Sequence, residues 1–158
     1  MSKSLSFATS FPPPGSRWLR LWTLRTDANV ALYRITRGRL GGRWKRRNPI
    51  LLLEHEGRHS GKRRTTPVVY TPVGDELIVV AAPRGSDSNP GWYHNIRDGS
   101  DTWVQMGRHR FPVLAREADL AERESLWPRL VQANPDYVHY DRDPHRRIPV
   151  MVLRRRNF

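Results

Sequence analysis

The sequence contains no cysteine, which excludes disulfide bonds, thiolate metal ligands and a cysteine nucleophile. It also lacks any run approaching the roughly 20 apolar residues that a transmembrane helix requires. The apolar stretch near the N-terminus is too short and too polar for the centre of a signal peptide. These absences predict a cytoplasmic protein without a membrane span.

Acidic residues are scarce, with 15 Asp and Glu against 28 Lys and Arg, and the net charge is +13 in a chain of 158 residues. This length predicts one domain, and this charge predicts attraction to an anion: nucleic acid, anionic lipid or an anionic ligand. Residues 17–47 alone contribute +9, because ten basic residues there face the single acid Asp27. The excess charge is therefore concentrated near the N-terminus.

The N-terminal third is divided into two parts by composition. Residues 1–16 carry Pro12-Pro13-Pro14-Gly15 and predict a flexible leader. Residues 17–47 predict a basic amphipathic helical segment in two pieces, the first capped by Ser16 and the second starting near Asp27. Such a helix either packs its Trp and Leu stripe on the rest of the protein or lies on the anionic inner face of the cell membrane.

A cationic β-hairpin is the central feature of the remaining chain. The apolar run Ile50–Leu53 precedes the turn, and the β-branched run Thr65–Thr71 follows it. The turn, residues 57–64, carries two glycines, a serine hydroxyl and four full positive charges. These groups suit phosphate or carboxylate, so the turn is either an anion cradle or a solvated hairpin tip.

The later elements predict an α+β, mainly β, fold. A third strand over 77–82 is followed by a short helix that begins at Pro90, a second hairpin turning at Gly107-Arg108, and a helix over 119–133. Pro128 is expected to bend or restart that helix. A loop over 134–147 then leads to a last strand over 148–153. Roughly six strands with inserted helices indicate a small barrel.

An ordered set of motifs identifies a family. The turn Gly57-Arg58-His59-Ser60-Gly61, an arginine at 64, a strand ending in small residues, and the string Asn89-Pro90-Gly91-Trp92-Tyr93-His94-Asn95 resemble the deazaflavin-dependent nitroreductases. The match covers roughly residues 48 to 154. It implies a split β-barrel over residues 48–158 that binds coenzyme F-420, a hydroxylated deazaflavin, with FMN as the second choice.

The resemblance also assigns the cofactor residues. Those implied around the anionic tail are Arg58, His59, Ser60, Gly61 and Arg64. Those implied around the ring are Pro67, Val80, Ala81, Ala82, Arg84, Asn89 and Trp92. The asparagines of the second motif are expected to brace the loop and the helix end, and Trp92 offers either an apolar face to the ring or ordinary core packing.

The resemblance implies a substrate pocket made by Val69, Asn134, Tyr137 and Tyr140. Either tyrosine could donate a proton as hydride reaches the acceptor. The predicted function is hydride transfer from the deazaflavin to a quinone, an enone or a nitroaromatic. The alternatives are a membrane-surface coenzyme-binding protein without turnover and a basic nucleic-acid-binding domain.

The string His55-Glu56-Gly57-Arg58-His59 matches the H-E-x-x-H pattern of zinc proteases. That pattern binds zinc only on a helix, which the glycines and the preceding β-run disfavour. The sequence therefore predicts no metal site.

Overall fold

The computed structural model describes residues 17–40, 42–44, 48–82, 88–140 and 147–157, with side chains from residue 26 onward except at 43 and 44. The predicted leader and Arg84 lie outside the described residues. The elements in chain order are α1 (Arg17–Ile35), β1 (Arg43–Trp44), β2 (Asn48–Glu56), β3 (Arg63–Val69), β4 (Thr71–Val73), β5 (Glu76–Val80), α2 (Gly91–Ile96), β6 (Thr102–Met106), β7 (His109–Glu117), α3 (Leu120–Ala133), a 3-10 helix (Pro135–His139) and β8 (Val150–Arg155).

The strands form one curled antiparallel sheet in the order β1-β2-β6-β7-β8-β5-β4, and β3 pairs with β2. This α+β, mainly β, architecture confirms the predicted split barrel. The described sheet has eight strands rather than roughly six, since β1 adds a two-residue strand and the predicted strand 65–71 is divided at Tyr70.

The division at Tyr70 creates the split. Before it, β3 pairs with β2, and after it, β4 pairs with β5. The Tyr70 backbone N–H still donates to the Pro49 carbonyl at 3.1 Å, so the strand leaves one partner and joins the next within about a residue. The barrel is consequently closed at the β4–β5 end, while no ladder joins β3 to β5 among the described strands.

The barrel interior is a buried apolar cluster contributed by β2, β3, β5, β6, β7 and β8. Its largest buried members include Leu51, Leu53, Met151 and Leu153. Helix α2 contributes Tyr93 and Ile96 to the same cluster. It begins after Pro90 as predicted, and the chain leaves it through Gly99, whose φ of 78° suits glycine. This short helix therefore covers the barrel end near the hairpin tip.

A second apolar cluster lies outside the barrel, where α3 and the 3-10 helix pack on β5 and β8. Helix α3 starts at the predicted cap, since the Asp119 carboxylate accepts from the Glu122 N–H at 2.8 Å. It continues through Pro128 as one helix, so the predicted restart is wrong. The predicted loop after α3 begins instead with the 3-10 helix.

Helix α1 packs on the outer face of β2 and β3. Val30 and Tyr33 are buried against Ile50 and Leu52, and the Tyr33 hydroxyl donates to the Ile50 carbonyl at 3.1 Å. The helix is continuous, so the predicted division into two pieces is wrong: no glycine or proline interrupts residues 17–35. Among the helices described here, none is both long and apolar enough to cross a membrane.

Candidate functional site

The β2–β3 hairpin tip is a tight turn that depends on two glycines. The Gly57 N–H donates to the Lys62 carbonyl at 2.9 Å, and the Gly61 N–H donates to the Gly57 carbonyl at 2.8 Å. Gly61 has a φ of 62°, which glycine adopts most easily. A Cβ atom at Gly57 would lie 2.6 Å from the Ser60 Oγ and 3.2 Å from the Arg64 Nε. Because Gly57 has no side chain, the Ser60 hydroxyl and the Arg64 guanidinium can both lie close to this position.

The tip also concentrates unpaired positive charge. Arg58, Lys62, Arg63 and Arg64 are exposed, and none forms an ion pair within the part of the chain that the structure describes. His59 and Ser60 lie exposed between them. Guanidinium groups bind phosphate and carboxylate through paired N–H donors. The arrangement fits the multiply anionic tail that the sequence analysis assigned to this turn.

Asn95 on α2 ties the tip to the rest of the protein. Its Oδ1 accepts from the Arg58 backbone N–H at 3.2 Å, and its Nδ2 donates to the His55 Nδ1 at 3.1 Å. The second ring nitrogen of His55 lies 3.2 Å from the Thr66 Oγ1. These bonds assign His55 the neutral tautomer with hydrogen on Nε2. The Asn95 amide therefore links α2 to the hairpin turn and to β2, and His55 extends the link to β3.

Burial, the larger cause, and the positive charge of Arg64 together lower the pKa of His55 from 6.5 to about 4. His55 is therefore neutral at neutral pH, as its bond from Asn95 requires. Sequence reasoning placed Asn95 at a helix end but missed its contacts with His55 and the tip. Only the packing of α2 on β2 reveals them, because 40 residues separate the two side chains.

Between β3 and β5 lies a gap, here called the wedge, where no ladder joins the two strands in the described structure. If the β4–β5 register continued, Val80 would face Val69 and Ala82 would face Pro67. Instead the pairing with β5 begins only at Thr71, so these residues lie along two edges that no ladder joins. We define Pro67, Val69, Val80 and Ala82 as the wedge residues.

The backbone groups of the wedge residues point into the wedge. The Ala81 N–H donates to the Pro149 carbonyl at 2.9 Å, and the Tyr70 N–H donates to the Pro49 carbonyl, so both residues face their sheet partners. Backbone groups alternate between the two edges of a strand, which turns those of Val69, Val80 and Ala82 toward the gap. Pro67 has no N–H and is suited to such an edge. The Ala81 N–H is therefore occupied by the Pro149 carbonyl, and the predicted ring contact through Ala81 stays a prediction.

Two further ring-side residues, Trp92 and Asn89, lie on α2 and just before it. Trp92 is half-buried on α2 and packs against the interior cluster that contains Ala81. Asn89 is half-buried just before α2. The assignment of Arg84 falls outside the described residues.

The predicted substrate tyrosines lie on the outer side of β5. Tyr137 is 6% exposed and belongs to the cluster that contains Val80, while Tyr140 is half-buried against the same cluster. The two ring centroids are 5.7 Å apart. Asn134 is buried and accepts from the Asp136 N–H at 3.3 Å, so it caps the 3-10 helix that positions both rings.

Burial raises the pKa of Tyr137, and this effect outweighs the hydrogen bond with Asn134, which lowers it. The hydroxyl therefore keeps its proton at neutral pH. The wedge residue Val80 connects this pair to the predicted ring position.

The histidine string assessed as a zinc motif does not lie on a helix. His55 belongs to β2 and His59 to the turn, and these elements cannot present both rings on one helical face. The described residues contain no group of three or more His, Cys, Asp or Glu side chains placed to hold a metal ion.

Known proteins resemble the chain in sequence and structure. A family model described as F420H(2)-dependent quinone reductase matches residues 24–155. A putative F420H(2)-dependent quinone reductase of Mycobacterium tuberculosis is 42% identical over 118 residues, covering 75% of this chain and 99% of that protein. A second from that organism, named F420H(2)-dependent quinone reductase, is 36% identical over 146 residues, covering 89% and 98%.

Solved structures agree with the sequence comparison. An F420-H2 dependent reductase has a TM-score of 0.60 at 34% identity, covering 66% of this chain and 93% of that one. A chain described as a domain-swapped dimer has a TM-score of 0.61 at 31% identity, covering 86% and 96%. The family model spans all the residues that build the hairpin tip and the wedge, and the chain belongs to the F420H(2)-dependent quinone reductase family.

Proposed function

We propose that this protein binds reduced coenzyme F-420 and transfers hydride from it to a quinone. The observation that carries the proposal is a hairpin tip whose four exposed cations form no ion pair with any described residue. Family membership supports the same reaction, since the names of the relatives specify both the coenzyme and the quinone. Enones and nitroaromatics are other acceptors that the same chemistry suits.

The tip binds the anionic tail in this proposal. Arg58 and Arg64 donate to phosphate and carboxylate oxygens, and Ser60 adds a hydroxyl donor. Asn95 fixes the Arg58 backbone, and Gly57 permits the close approach of Ser60 and Arg64. Because several charge-assisted hydrogen bonds act together, the tail anchors the coenzyme without restricting the ring.

The wedge orients the ring. The backbone groups of Val69, Val80 and Ala82 offer donors and acceptors to a heterocycle edge, and Trp92 supplies an apolar surface. When bound, the coenzyme supplies the hydride, while the protein provides orientation and exclusion of water. FMN lacks the longer anionic tail that the cationic tip suits, so F-420 is the better match.

Tyr137 and Tyr140 supply the proton that the reduced acceptor requires. The raised pKa of Tyr137 keeps its hydroxyl protonated, which makes it a donor and not a base. Tyr140 is the more exposed of the two, which supports a role in covering an acceptor bound on the ring.

The direct test is turnover of menadione with three reductants: reduced F-420, reduced FMN and NADPH. The proposal predicts quinone-dependent oxidation of reduced F-420 and little or no turnover with the other two. Equal rates with reduced FMN would contradict the coenzyme assignment. Tight binding of F-420 without turnover of menadione, an enone or a nitroaromatic would leave a coenzyme-binding protein instead of a reductase.

Replacing Tyr137 tests the proton donor. Tyr137→Phe keeps the ring and removes the hydroxyl, so we expect F-420 affinity to stay unchanged and kcat to fall roughly 10²-fold. Stopped-flow oxidation of reduced F-420 measures the step, and Tyr140→Phe is the matched variant. If Tyr137→Phe reacts at the wild-type rate while Tyr140→Phe is slow, the donor is Tyr140.

We also propose contact with an anionic membrane surface through residues 17–47. Leu32, Ile35 and Leu40 are exposed apolar residues, Ile35 by 80%, and they lie beside Arg37 and Arg39. Basic and apolar residues together favour an anionic bilayer interface. In sedimentation with phosphatidylglycerol vesicles, wild type should pellet with the vesicles, whereas the Ile35→Glu protein should stay in the supernatant. The boundary between this segment and residues 48–158 stays a prediction.

A further inference from the structure

A recess lies at the barrel end opposite the hairpin tip. It has a volume of about 560 Å³, within the range of small-molecule pockets. The β4–β5 turn, the β6–β7 turn and the end of β8 surround it, and its lining comprises Asp75, Leu77, Met106, Arg108, His109, Arg110, Phe111 and Arg155. None of these residues belongs to the proposed coenzyme site.

The floor of the recess is apolar. Leu77, Met106 and Phe111 are partly buried and pack against the interior cluster of the barrel. Gly107, with a φ of 60°, turns the chain tightly at the rim, and its N–H donates to the Tyr33 hydroxyl at 2.9 Å. The floor and one rim are thus held by the barrel core and by α1, so the recess is built on fixed elements.

The rim carries positive charge that the described residues do not neutralise. Arg110 is compensated, because it donates to the Glu54 carboxylate at 2.7 Å and 3.0 Å. Arg108 and Arg155 form no ion pair with any described residue, and Asp75, the single acid of the lining, forms none either. Two guanidinium groups therefore border an apolar floor without a bound carboxylate.

Arg154 and Arg155, adjacent residues at the end of β8, differ in whether they have a carboxylate partner. Arg154 lies 3.3 Å from Glu76 on one face of the strand. Arg155 turns to the opposite face, as alternate strand residues do, and its guanidinium lies 4.9 Å from the centroid of the Phe111 ring. The Arg155 guanidinium therefore already lies over an aromatic ring at the recess, and a flat aromatic ligand would add a second ring to this stack.

We propose that this recess binds a planar aromatic anion, such as an aryl sulfonate or aryl carboxylate, at a site separate from the coenzyme. Leu77, Met106 and Phe111 would contact the flat apolar body. Arg108 and Arg155 would pair with the anionic group. The proposal does not depend on the proposed reductase activity, since it uses none of the tip or wedge residues.

The test uses 1-anilinonaphthalene-8-sulfonate and its uncharged counterpart N-phenyl-1-naphthylamine as fluorescent probes on the full chain. The proposal predicts one sulfonate per chain, weaker binding of the neutral probe, and no displacement by F-420. Arg108→Ala combined with Arg155→Ala should weaken sulfonate binding at least about 10-fold, as expected for lost hydrogen bonds to a charged group. Arg129→Ala, an exposed arginine on α3, is the matched control.

A second variant keeps the test decisive if the alanine protein fails to fold. Arg108→Lys combined with Arg155→Lys retains the charge but removes the planar guanidinium, so binding should weaken less than in the alanine protein. The proposal is overturned by unchanged sulfonate binding in either folded double variant, by equal binding of the neutral probe, or by competition with F-420.

Discussion

Two groups of arginines differ in whether they face a carboxylate. On the outer face of the sheet, Glu54 lies 3.0 Å from Arg34 and 2.7 Å from Arg110. Burial alone would raise the pKa of Glu54, but hydrogen bonds and charges from both arginines outweigh it and lower the pKa. At the hairpin tip, Arg58 and Arg64 have no such partner in the described structure.

The comparison teaches which part of the net charge serves a ligand. Paired surface arginines contribute about 0 to 1 kcal/mol each to stability. The partner carboxylate offsets the positive charge that would otherwise attract an anion. The cations of the tip repel one another and form no ion pair with any described residue, so we attribute their concentration to the proposed binding of the coenzyme tail. Net charge does not distinguish the paired arginines from the unpaired ones, whereas the presence of a carboxylate partner does.

The largest expected effect comes from removing an unpaired cation. Arg64→Ala should weaken F-420 binding by about 1.5 to 3 kcal/mol, the range for hydrogen bonds to charged groups. Arg116→Ala is the matched control, because Arg116 pairs with Glu122 at 2.8 Å. Fluorescence titration of F-420 measures both. If the two variants bind alike, the distinction between paired and unpaired arginines does not explain binding.

Breaking the tie between α2 and the tip should have an intermediate effect. Asn95→Ala leaves the Arg58 N–H and the His55 Nδ1 without their partner, and we expect a loss of about 1 to 3 kcal/mol in the free energy of unfolding. Chemical denaturation measures the loss. Asn95→Asp, which keeps the acceptor for Arg58 but loses the donor to His55, should bind F-420 better than Asn95→Ala. If the free energy of unfolding of Asn95→Ala equals that of wild type, the hydrogen bonds of Asn95 do not hold the tip in place.

The pH dependence of stability gives an effect that is absent near neutral pH and grows only as the pH falls. The pKa of His55 is lower in the folded protein than in the unfolded chain, so the unfolded chain binds the extra proton between pH 6.5 and about 4. The contribution of His55 is complete above pH 6.5 and is lost as the pH falls, by up to about 1.4 kcal/mol per pH unit.

His55→Gln isolates this contribution, since it removes the titrating ring while the carboxylates remain. The free energy of unfolding of wild type, compared with that of the variant, should decrease as the pH falls from 6.5 toward 4. Parallel pH profiles for the two proteins would show that His55 titrates normally.

Local chemistry made the tip predictable from the sequence. Gly57, Gly61 and the surrounding cations define a turn through their own backbone preferences and charges. The caps at Asp119 and Pro90 are equally local, and the structure confirms both. In each case the signal lies within a few residues of the feature that it predicts.

Features that depend on distant partners were predicted less well. The break at Tyr70 follows from a change of strand partner, which a continuous β-branched run does not reveal. The sequence 80–82 is a run of small residues and does not show which backbone groups face which edge. Only the register with β8 shows that those of Ala81 face β8 and that those of its two neighbours face the wedge. Asn95 and His55 meet only when α2 packs on β2. Tertiary pairing decides all three.

The central claim is tested most directly by the salt dependence of F-420 binding in wild type and in Arg58→Ala combined with Arg64→Ala. Raising the salt from about 0.1 M to about 1 M shortens the screening length from roughly 10 Å to 3 Å. The account predicts that the Kd of wild type rises steeply with salt and that the Kd of the double variant is higher at low salt and rises much less. Equal Kd values and equal salt slopes in the two folded proteins would contradict it.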